Sequence, residues 1–62
     1  MTDQELNSMA FAEAQKRQQH PYYISLWATG FIDGYKGYEK AQLSEVAQPT
    51  YDSGYARGAA VD

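Results

Sequence analysis

The chain places all five of its glycines in or beside two short aromatic segments. One is Phe31-Ile32-Asp33-Gly34-Tyr35 and the other is Tyr51-Asp52-Ser53-Gly54-Tyr55, offset by 20 residues, and each shares the spacing aromatic, two residues, glycine, tyrosine. Glycines four positions apart accompany each copy: Gly30 with Gly34, and Gly54 with Gly58. On a helix, residues four apart lie on one face, so each pair makes a smooth ridge on which another backbone can rest. An interior helical glycine costs about 0.5–1 kcal/mol relative to alanine, and five of them approach the whole stability of a small domain. Close packing must return that loss. The expectation is an antiparallel pairing of the two ridges, with Phe31, Tyr35, Tyr51 and Tyr55 filling the flanks.

Size sharpens the argument. A chain of 62 residues buries only about 60% of the surface that its unfolded form exposes. Cysteine is absent, which removes disulfides and thiolate zinc sites and fits a reducing compartment. The core must therefore come from nine aromatic residues and a few aliphatics, and a homodimer is an ordinary way to cover what a monomer leaves exposed.

The reading is all-α. Thr2 and Glu5 have the spacing of a capping box, followed by Leu6, Met9, Ala10, Glu13, Ala14 and Arg17 along one face. This predicts a first helix over 3–18, broken at Gln18-Gln19-His20-Pro21. Pro21 opens a second helix over 21–39, marked by Ile24, Trp27, Ala28, Phe31, Tyr35 and Tyr38. Residues 41–48 lack periodicity and read as a connection with a short turn at Ser44-Glu45-Val46-Ala47. Pro49 opens a third helix over 49–60. Residues 1–62 thus form a single small domain, a helical hairpin joined by an N-terminal helix.

Composition excludes several functions. The formal charge is −3 and Lys16-Arg17 is the sole adjacent basic pair, so direct nucleic-acid binding is expected to be weak. No apolar run is long enough for a membrane span, and Met1-Thr2-Asp3-Gln4-Glu5 does not resemble a secretory signal; the expected location is the cytoplasm. His20 stands alone in a predicted break, which points to no metal site, and no cofactor motif is present. Asp33 and Asp52 flank the repeat glycines on positions that read as solvent-facing, and the serines have no histidine partner at a suggestive spacing. No catalytic residues are expected. Tyr22, Tyr23 and Tyr38 are the tyrosines best placed for a contact patch, with Lys36, Lys40 and Arg57 as cationic contacts and Asp33 and Asp52 as acidic ones.

The segment Gly30-Phe31-Ile32-Asp33-Gly34-Tyr35-Lys36-Gly37, with Tyr51-Asp52-Ser53-Gly54-Tyr55 after a linker, resembles the ribosome modulation factor family over about half the chain, Ala28 to Ala59. The resemblance implies a small helical protein that binds the small ribosomal subunit and promotes inactive ribosome dimers. Family members are strongly basic and carry a cysteine-proline-tyrosine element, whereas this chain is net acidic and has Gln48-Pro49-Thr50-Tyr51 there. The functional expectation is a non-catalytic protein that binds a macromolecule, ribosome or protein, in the manner of this family. A second expectation is an acidic inhibitor, of the kind phages and mobile elements carry, that docks on a nucleic-acid-processing protein. A third is a structural homodimer subunit.

Overall fold

A computed structural model describes residues 1–61 and shows an all-α molecule of three helices: α1 (Asp3–Arg17), α2 (Pro21–Lys36) and α3 (Gln48–Ala59). No helix among the described residues is long and apolar enough to cross a membrane. Helix α1 starts in a complete capping box: Thr2 Oγ1 accepts from the Glu5 amide at 3.1 Å, and the Thr2 amide donates to Glu5 Oε1 at 3.1 Å. That hydrogen bonding to Thr2, backbone first, lowers the Glu5 pKa. His20 caps α2, its Nδ1 accepting from the Tyr22 amide at 3.1 Å, and Pro21 occupies the first turn.

Helix α2 is the centre of the molecule. On one side α1 runs antiparallel to it, so that Asp3 meets Lys36 at 3.4 Å while Arg17 sits over the Trp27 ring at 5.0 Å. Leu6, Ala10 and Ala14 pack there against Trp27, Ala28 and Phe31, all of them buried. The alanines at 10, 14 and 28 are fully buried, and their small side chains let the two helices approach.

On the other side α2 meets α3 through the glycines. A Cβ added to Gly30 would strike the carbonyl oxygen of Tyr51, and one added to Gly34 that of Tyr55. In return, a Cβ on Gly54 would strike the carbonyl oxygen of Trp27, and one on Gly58 that of Phe31. Contacts advance together along both helices, from 27 to 31 and from 54 to 58. The ridges are therefore parallel, which corrects the antiparallel pairing expected from the sequence. The hairpin of the molecule is α1–α2, and residues 37–47 carry the chain back beside α2 before α3 begins.

The structural repeat also differs from the one first visible. Trp27, Gly30, Phe31 and Gly34 correspond to Tyr51, Gly54, Tyr55 and Gly58, an offset of 24 residues rather than 20. Within each copy an aromatic precedes each glycine by three positions, and its carbonyl receives the partner glycine. This is the reciprocity of a two-fold axis built into one chain. A glycine hydrogen takes the place of the missing side chain and points at each carbonyl, a Cα–H···O contact worth about 0.5–1 kcal/mol. Four of them offset the roughly 2–4 kcal/mol that four interior helical glycines lose.

Gly37 is not part of this ridge. It ends α2 in the left-handed conformation at φ 75°, its amide reaching the Asp33 and Gly34 carbonyls. Helix α2 therefore stops at Lys36 instead of continuing to 39, and Tyr38 lies beyond it. The other limits differ from expectation by a single residue: α1 ends at Arg17, and α3 spans Gln48–Ala59.

Helix propensity and close packing make opposite forecasts for the glycines. Gly30→Ala, Gly34→Ala, Gly54→Ala and Gly58→Ala should each destabilise the protein by at least about 2 kcal/mol, because the added methyl meets backbone that cannot move aside. That corresponds to a fall of about 10 °C in melting temperature for a domain of this size, followed by circular dichroism. Gly37→Ala, with nothing near its Cβ position but a positive φ, should cost only about 1 kcal/mol. Stabilisation by any of the four ridge alanines would overturn the assignment.

Candidate functional site

The two copies of the repeat differ in one chemical respect. Trp27 and Phe31 face α1 and are buried without side-chain hydrogen bonds, whereas Tyr51 and Tyr55 carry hydroxyls that make them. Those hydroxyls hold the crossover, residues 37–47 between α2 and α3. Tyr51 Oη accepts from the Ala41 amide at 3.0 Å and donates to Asp33 Oδ2 at 2.6 Å. Tyr55 Oη donates to the Tyr38 carbonyl. Gln48, at the start of α3, adds a clamp: its Oε1 accepts from the Leu43 amide at 2.7 Å, and its Nε2 donates to the Ala41 carbonyl at 3.1 Å and to Asp52 Oδ1 at 2.9 Å. Ser44 finishes the turn, its Oγ accepting from the Ala47 amide at 3.3 Å.

Pinned in this way, the crossover stands off from the outer face of α2 and leaves a cavity of about 190 Å³ open to solvent. Tyr22, Leu26, Leu43 and Tyr51 supply apolar walls, Ala41 closes the crossover side, and Ser25 and Thr29 come from α2. Leu43 is 38% exposed and Tyr22 52% exposed, with Val46, at 67%, on the same crossover. This is where the structure leaves large apolar side chains beside a concave surface.

The sequence-chosen contact residues do not form one patch. Tyr22 and Tyr23 stand at the start of α2, edge to face at 5.2 Å, with His20 against Tyr23 at 5.9 Å. Tyr38 is 56% exposed at the opposite end, with the Lys36 ammonium 5.7 Å from its ring centroid. A 16-residue helix separates the two groups by about 24 Å. Lys40 lies over the Tyr55 ring at 5.3 Å and reaches Asp52 at 3.8 Å, while Lys36 is paired with Asp3. Lys16 and Arg17 both meet Glu13, at 3.2 and 2.9 Å, which lowers the Glu13 pKa through the Lys16 hydrogen bond first. Arg57 is exposed on α3.

Asp33 and Asp52 are not the solvent-facing pair expected. Both are half-buried; Asp33 receives the Tyr51 hydroxyl, and Asp52 receives Gln48 and Lys40. Among the described residues no cluster of three or more His, Cys, Asp or Glu could hold a metal ion. Two carboxylates among the described residues, Glu39 and Glu45, have neither an ion pair nor a side-chain hydrogen bond, and both lie on the crossover within two residues of the cavity wall at Ala41 and Leu43.

The chain matches no known family model, and no curated protein or solved structure is detectably similar to it.

Sequence reasoning passed over Leu26, which lies off the apolar stripe of α2, and Leu43 and Val46, which sit in a stretch without periodicity. One signal was available. Gln48 and two hydroxyl-bearing aromatics follow a polar link, and buried tyrosine hydroxyls require partners that such a link can provide.

Burial raises the Tyr51 pKa above 10, and the hydrogen bond to Asp33 raises it further. A group whose folded pKa is raised lends stability that is complete below its unfolded pKa and disappears as pH climbs through the folded one. The protein should therefore lose stability progressively above about pH 10. Tyr51→Phe should cost about 1–2 kcal/mol at neutral pH, through the lost bond to the Asp33 carboxylate, and should flatten that alkaline decline. Thermal melts of both proteins between pH 7 and 11 read the difference; parallel curves would contradict the placement of this hydroxyl.

Proposed function

We propose that the chain is a non-catalytic binding module that docks onto a protein of the translation or nucleic-acid machinery through the face formed by α2 and the crossover. The observation that carries this reading is the cavity lined by Tyr22, Leu26, Leu43 and Tyr51, a concave apolar surface with Tyr22 and Leu43 exposed at its edge. Most of the chemistry elsewhere is committed to holding the fold. Trp27, Phe31 and Tyr51 are buried, Tyr55 is half-buried, and four of the five cations are in ion pairs. A surface that binds RNA relies on free clustered cations and exposed rings, and this chain has few of either.

The ribosome is the second reading. It is favoured by the segments that resemble ribosome modulation factor, because those segments make up the packed pair of helices α2 and α3. A ribosome-bound form of this chain would contact ribosomal proteins, which are basic, more readily than rRNA.

Affinity capture from bacterial lysate, with and without nuclease and followed by mass spectrometry, separates these readings. A defined protein partner retained after nuclease treatment is expected. Ribosomal components that all disappear with nuclease would overturn protein docking and favour contact with rRNA.

A further inference from the structure

Resting on the protein-docking reading, we infer that the cavity between α2 and the crossover takes one apolar side chain from a basic segment of the partner, whose flanking Lys or Arg residues engage Glu39 and Glu45. Size supports the first half. An enclosed cavity of about 150 Å³ lined by aliphatic and aromatic groups holds a benzene ring, and this one measures about 190 Å³. It therefore admits a single phenylalanine, leucine or methionine side chain, with Tyr22 and Leu43 at its edge.

Charge supports the second half. Asp3, Glu5, Glu13, Asp33 and Asp52 are each satisfied within the fold by a cation, an amide or a hydroxyl. Glu39 and Glu45 are not, and both are exposed, one on each side of Ala41 and Leu43. Cations arriving there need break no existing pair, and exclusion of water by the partner's own bulk lowers the local dielectric and strengthens the attraction. An acidic segment would meet uncompensated like charge at the same place. An apolar anchor in a pocket with charged residues at its rim is the usual division between affinity and specificity in protein recognition. The crossover is rigid enough to present both parts, since Gln48, Tyr51 and Tyr55 bind its backbone at Tyr38, Ala41 and Leu43.

The test uses the whole chain, isotope-labelled, titrated by NMR with three capped pentapeptides. The first has one phenylalanine between two pairs of arginines; in the second alanine replaces phenylalanine; in the third glutamates replace the arginines. The first should bind and shift the amides of Leu26, Thr29 and Leu43. The second and third should each bind about tenfold more weakly, and salt near 0.5 M should weaken the first in the same way. Two variants complete the test: Ala41→Phe, which fills the cavity, and the double charge reversal Glu39→Lys with Glu45→Lys. Both alter exposed side chains, and circular dichroism verifies that each remains folded. Each should lose about tenfold in affinity for the first peptide.

Equal binding of all three peptides, shifts confined to other faces, or no binding by any peptide would overturn the inference. So would concentration-dependent shifts of the same amides without peptide, which would make a second copy of this chain the occupant. The variants also separate this inference from the docking reading on which it rests. A partner captured from lysate that binds both variants as well as the parent chain would remove this site and leave protein docking standing.

Discussion

Everything in this molecule depends on two helix backbones lying against each other at four glycine positions. The contacts are reciprocal: each copy offers two glycines and receives them on the carbonyls of two aromatics. Such closeness excludes any side chain larger than hydrogen at 30, 34, 54 and 58, and it places the neighbouring rings by default. Trp27 and Phe31 turn towards α1, stacked at 5.5 Å, and Tyr51 and Tyr55 turn towards the crossover. The pseudo-symmetry is one of backbone alone. Side chains break it, and that asymmetry divides the protein into a closed side and a side that still has something to offer.

Parallel packing has a geometric consequence. After α2 ends, the chain must return along most of its length before α3 can start in the same direction. A helix of 12 residues spans about 18 Å, and the 11 residues from 37 to 47 reach up to about 36 Å when extended. The link is thus long enough to return with slack, and the slack is taken up by the turn before Ala47. A hairpin of antiparallel helices needs only a few residues. The cavity exists because the returning segment is held to α3 by Tyr51 and Gln48 and stands away from α2.

Much of this was legible in the sequence, and the failures have definite causes. The all-α reading followed from capping signals, proline positions and spacing that are local, so each could be judged by itself. The glycine ridges were visible because residues four apart share a face in any helix, whatever its partner. Direction was not visible there: a smooth ridge looks the same from either end. The length of the link carried that information, since a connection of this length is more than an antiparallel pair requires. The spacing predicts α2 to 39 because Tyr38 stays in phase with the apolar stripe, although Gly37 at the stripe's end is the usual terminator of a helix. The short motif aligns Phe31 with Tyr51, and only the full pattern of two aromatics and two glycines fixes the repeat at Trp27 and Tyr51. As for the candidate site, Tyr22 could be chosen from the sequence, but Leu43 could not. Its position beside Tyr22 comes from three hydrogen bonds between residues 5 to 10 apart, which no periodicity encodes.

The distribution of charge makes the strongest case for treating the crossover as the working face. Surface ion pairs contribute little to stability, so a chain of this size gains little by pairing nearly every cation. What pairing does accomplish is to quiet the surface: around α1 and the ends of the helices, charge is balanced locally by Lys16, Arg17, Lys36 and Lys40. The two carboxylates among the described residues with neither an ion pair nor a side-chain hydrogen bond, Glu39 and Glu45, lie on the same segment that exposes Leu43 and Val46. Exposed apolar side chains and unbalanced carboxylates are each costly to keep, the first for solubility and the second for self-repulsion. Their coincidence on a backbone that Gln48, Tyr51 and Tyr55 immobilise is the physical ground on which the docking proposal rests.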